Sequence, residues 1–143
     1  MQEKQDFLMM QIEQLGRALG KILADLLGLK SSGNVSDAFE ILSESLILEL
    51  DIDFKKLIFL SDSEFKDYIS DCLFKSSKLY AKLAELFIEA AKMQNDGIKS
   101  FKLSEKALLL LKMEIQETKT FSSFNHSRIR ELELLVDKYK KTL

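Results

Sequence analysis

Two stretches of the chain carry the same spacing of small and large residues. In the first, Leu23-Ala24-x-x-Leu27 leads through Ser31-Ser32-Gly33-Asn34 to Asp37-Ala38-x-x-Ile41-Leu42-x-x-Ser45-Leu46. In the second, Tyr80-x-x-Leu83-Ala84-x-x-Phe87 leads through Asn95-Asp96-Gly97 to Ser100-x-x-Leu103-Ser104-x-x-Ala107-Leu108. Small residues three or four positions from large ones let two helices approach closely, so each stretch predicts a helical hairpin. Zero proline and five glycines in 143 residues leave little to break a helix. The chain reads as one all-α domain over residues 1–143, long enough to bury a core without metals or disulfides.

Charge narrows the function classes. The net charge of −2 is spread over 21 basic and 23 acidic groups. Only Arg17, Arg128 and Arg130 offer bidentate phosphate contacts. Both facts argue against a nucleic-acid surface. The longest apolar run, Ala107 to Leu111, falls far short of the roughly 20 residues that span a bilayer. Glu3, Lys4, Asp6, Gln11 and Glu13 interrupt any apolar signal region. One cysteine, Cys72, allows no internal disulfide. A cytoplasmic protein without a membrane partner is expected.

Leu8, Ile12, Leu15, Leu19, Ile22, Leu26 and Leu29 form an apolar seam, which predicts a first helix over about 5–29. Beside it runs a ladder of Gly16, Gly20, Ala24 and Gly28. Each glycine inside a helix costs about 1 kcal/mol relative to alanine. Close approach of another helix would offset that cost, either the second helix of its own hairpin or a second copy of the chain. Ser36 suits an N-cap for a second helix to about Glu49, and Gly33 suits the turn before it. Residues 51–60 predict a short irregular element whose aliphatics, Leu57 to Leu60, plug the core. Ser61-Asp62-Ser63-Glu64 is a capping box opening a helix to about Leu73. Helices over about 76–93 and 98–117 follow, the latter apolar nearly all round and therefore central. The last helix starts near Asn125 or Ser127. Ile129, Leu132, Leu135, Val136 and Tyr139 should face inward, with Arg128, Arg130 and Glu131 toward solvent.

The helix pairs resemble tetratricopeptide repeats. Tyr80, Leu83, Ala84, Phe87, Ser100, Ser104, Ala107 and Leu108 stand where that motif has its signature positions. The opening stretch, residues 5–19, resembles the start of a family of short, uncharacterised bacterial tetratricopeptide-repeat-like helical proteins, and the likeness covers most of the chain. The resemblance implies a right-handed stack of five long helices plus one short irregular element, closed by a capping helix. It implies a bacterial origin and no reaction. The chain departs from the pattern in its longer turn before Gly97 and its lack of a closing proline. Ala38 and Ser100 are 62 residues apart, against a repeat of about 34. A degenerate middle repeat over 52–73 would account for that spacing.

Little in the chain carries chemistry. His126 is the only histidine and sits in a connector without an orienting acid. Cys72 has aliphatic, aromatic and acidic neighbours that favour a buried structural thiol over a nucleophile. Asp51-x-Asp53 lacks the further ligands of a calcium loop and suits a helix start. No metal, cofactor or catalytic residue is assigned.

The expected function is therefore a non-catalytic protein–protein interaction module. Lys21, Asp25, Lys78, Lys82, Glu85 and Glu89 would line a groove for a protein or peptide, Lys78 and Lys82 at offsets suited to a carboxylate clamp. The alternative is a homodimer or larger homo-oligomer built on Gly16, Gly20, Ala24 and Gly28. An enzyme or small-ligand binder, with a pocket beside the Leu57–Leu60 plug, ranks third.

Overall fold

The computed structural model describes residues 2–33, 38–94, 96–119 and 123–142. Among them are seven helices and no strand: α1 (Gln2–Ser32), α2 (Ala38–Leu50), α3 (Phe54–Leu57), α4 (Asp62–Cys72), α5 (Ser77–Met93), α6 (Gly97–Thr118) and α7 (Ser123–Thr142). The pair α5–α6 forms the centre, with α1 packed on α5 and α7 packed on α6. The second helix lies against α1 and closes on α3 and α5. The apolar α6 therefore sits between α5 and α7, as its composition predicts.

Local sequence sets the helix starts. The Ser61 hydroxyl accepts from the Glu64 amide at 3.3 Å, and Glu64 Oε1 accepts from the Ser61 amide at 3.4 Å, closing the predicted capping box. Ser76 caps α5 by accepting from the Leu79 amide. Asp96 accepts from both Ile98 and Lys99 and starts α6 one residue before the expected position. Gly33, at φ +80°, ends α1. The expected Ser36 cap lies outside the described residues. The first helix is longer than its seam predicts at both ends.

Burial follows the seam from its second residue onward. Leu19, Ile22 and Leu26 are buried, while Ile12, Leu15 and Leu29 are half-buried against the core. Leu8, expected inward, is exposed together with Phe7, Met9 and Met10. The first turns of α1 run past the body that would cover them.

The 51–60 segment is the plug its composition predicts, and it is partly helical. Asp53 Oδ1 accepts from the Lys56 amide and caps α3. Ile52, Phe54, Leu57 and Ile58 are fully buried, but Phe59 is 69% exposed. The Phe54 ring lies 5.1 Å from Phe39 and 5.4 Å from Phe87, joining α2, α3 and α5. Tilted aromatic pairs of this kind add about 0.5–1.5 kcal/mol beyond the area they bury.

Beyond Gly16 the glycine ladder is not an internal helix contact among the described residues. Among the described residues, a Cβ placed on Gly20 or Gly28 would meet nothing within 4 Å, and Ala24 is exposed. Only Gly16 is buried, beneath Leu79 and Lys82 of α5. The fifth helix meets α1 at Gly16 and again where Glu89 pairs with Lys30, while Gly20, Ala24 and Gly28 stay exposed.

Candidate functional site

Lys78, Lys82, Glu85 and Glu89 recur at three- and four-residue steps and so share one face of α5. That face meets two different cavities. Lys78 and Lys82 line one of about 320 Å³ between α1 and α5, with Arg17 and Glu13 at its edge and Ile12 and Leu79 as its apolar floor. Glu85 and Glu89 line another, of about 460 Å³, between α5, α6 and α7. Lys21 and Asp25 are exposed on α1 and line neither. The six expected groove residues thus divide into two basic, two acidic and two separate positions.

In the first cavity, Lys82 Nζ donates to the Gly16 carbonyl at 3.3 Å. That bond ties α5 to α1 and explains why Gly16 is the one buried member of its ladder. Arg17 and Glu13 form an i,i+4 ion pair at 3.8 Å. Such exposed pairs contribute about 0.3–0.5 kcal/mol. Asp25 and Glu85 do not line this cavity, so the three cations face a single carboxylate.

The second cavity has a polar floor. Ser100 and Ser104 of α6 are both buried. The Ser100 hydroxyl donates to the Ala91 carbonyl and pairs with the Tyr139 hydroxyl, each at 3.0 Å. Ser104 is fully buried, and its Oγ makes no hydrogen bond among the described residues. Ile88, Leu132 and Leu135 are the apolar walls. Leu135, expected inward, is 38% exposed because it borders this opening.

Charges of both signs edge that cavity, and most are already engaged. Glu89 pairs with Lys30 of α1 at 3.5 Å and with Lys92 at 3.4 Å. Arg128, expected in solvent, is half-buried, lines the cavity and also has a partner. Glu85 and Glu131, on α5 and α7, are exposed and pair with no other described residue.

The other singled-out residues lie apart from this site. Cys72 is half-buried rather than buried, and borders a third cavity of about 430 Å³ beside Leu15, Ala18 and Phe74. Burial pushes its thiol above the ordinary value of 9.0, which disfavours the thiolate. His126 is exposed on α7.

Two features escaped the sequence reading. Ser100 and Ser104 were legible as small positions but not as the floor of a cavity, which exists because α7 does not fill the space above them. Lys106 is buried inside α6, over the Phe65 ring at 5.3 Å. Its place between Leu103 and Leu110 on one helix stripe was the available signal.

No family model matches this chain, nor does any curated protein or solved structure.

Proposed function

We propose that this chain is a non-catalytic protein–protein interaction module of bacterial cytoplasm, a short right-handed tetratricopeptide-like stack with α7 as its cap. The α5 stripe carries the reading: Lys78, Lys82, Glu85 and Glu89 lie on one face and reach two open cavities, one basic and one acidic. A charged stripe between apolar walls suits a peptide or helix with charges of its own. The spacing of small and large residues in α5 and α6 supports the repeat assignment.

The test is capture from host lysate with three baits: wild type, K78E/K82E and E85K/E89K. One dominant partner, lost with either charge reversal, supports the module. Equal recovery by all three baits overturns the use of this face.

A second reading, a homo-oligomer, rests on the open ladder of Gly20, Ala24 and Gly28 beside the exposed Leu27. Light scattering decides it. A dimer that dissociates on Gly20→Leu with its helix content kept supports this reading, and a monomeric wild type removes it.

A further inference from the structure

We infer that the cavity between α5, α6 and α7 is a peptide site whose occupant places a lysine or arginine beside an aliphatic residue. This rests on the interaction-module reading and adds the location and chemistry of the recognised segment. The volume of about 460 Å³ lies within the range of sites that enclose a small group of atoms.

Three observations define the occupant. Among the described residues Glu85 and Glu131, on the α5 and α7 walls, have no partner; Glu89 and Lys92 are ion-paired and Arg128 has a partner, though the buried Glu89 Oε2 accepts no hydrogen bond. The unspent charge of the site is therefore negative, and it attracts a cation and repels a carboxylate. Ile88, Leu132 and Leu135 offer an apolar wall that an aliphatic side chain would cover. At the floor, the Ser104 hydroxyl is fully buried with no hydrogen-bond partner, whereas its neighbour Ser100 is satisfied within the protein. Buried hydroxyls are nearly always bonded, so an unbonded one lining a cavity marks where a polar atom of a ligand belongs. A peptide supplies all three groups within two or three residues: a backbone amide for Ser104, an aliphatic side chain and a cation.

The experiment is selection from a phage-displayed random dodecapeptide library against the full chain. Binding of the selected peptides is then measured to E85Q/E131Q, S104A and K78E/K82E, each checked for wild-type helix content by circular dichroism. The expected result is enrichment of Lys or Arg next to Leu, Ile or Met. Binding should fall by about tenfold or more in E85Q/E131Q and in S104A, and persist in K78E/K82E. Selected peptides that depend on Lys78 and Lys82 but not on Glu85 and Glu131 overturn this site and leave the interaction module standing. Peptides rich in Asp or Glu that bind E85Q/E131Q more tightly also overturn it. No enrichment over an unrelated helical bait overturns both.

Discussion

Lys106, its side chain 2% exposed, donates from Nζ to the main-chain carbonyl of Leu60, joining the middle of α6 to the residue before the α4 cap. Few direct helix contacts hold α4 to α6, so this bond and the Phe65 ring beneath the ammonium are a main tie between them. Glu105 lies 3.7 Å away and supplies the nearest opposite charge.

Truncating that lysine should cost more than replacing its shape. Lys106→Ala opens a cavity and abandons the Leu60 carbonyl, a loss of about 2–4 kcal/mol. Lys106→Met abandons the same carbonyl but keeps the volume and removes a buried charge, so its cost should be smaller, about 1–2 kcal/mol. Urea unfolding of the two variants measures the difference. Equal midpoints would mean that the ammonium, not the packing, holds α4 in place.

The same lysine shapes the alkaline limb of stability. Burial holds its pKa below the ordinary 10.5, so the unfolded chain binds that proton more tightly. Its contribution is complete above 10.5 and is lost as pH falls through the folded value, so the burial cost is fully felt at neutral pH. Burial pushes Cys72 above 9.0 and Tyr68 and Tyr80 above 10.0, with the opposite sign. Their stabilisation is complete below those ordinary values and is lost as pH rises through the folded ones. The two slopes oppose each other, so K106M should lose stability more steeply than wild type between about pH 9 and pH 11. Urea midpoints across that range test it, and parallel slopes would refute the assignment.

Glycines of one ladder should respond differently to alanine. At Gly20 and Gly28 a methyl group meets open space, so each substitution should stabilise by about 1 kcal/mol. At Gly16 the Cβ would lie 3.3 Å from Lys82 Nζ, and the bond from Lys82 to the Gly16 carbonyl would be disturbed. There the helix gain and the lost contact should nearly cancel, to within about 0.5 kcal/mol. Thermal unfolding of the three single variants separates them.

Helix type and capping were legible in the sequence because they depend on neighbours a few residues away. The Ser61–Glu64 box and the α6 periodicity needed no tertiary knowledge. The glycine ladder was visible, but which side of α1 the partner helix takes is a property of the whole assembly. The charged stripe on α5 was legible as a face, whereas its division between two cavities depends on where α1 and α7 end up. Leu135 and Arg128 were misjudged for the same reason: periodicity assigns an inside and an outside, and a cavity mouth is neither.

The unbonded Ser104 hydroxyl sets folding against recognition at one atom. In the free protein, Ser104→Ala removes an unsatisfied polar group and adds a better helix former, so it should raise stability by about 1 kcal/mol. The variant that makes the isolated molecule sturdier is the one that deprives an occupant of its polar anchor. A chain optimised only for standing alone would carry alanine at this position.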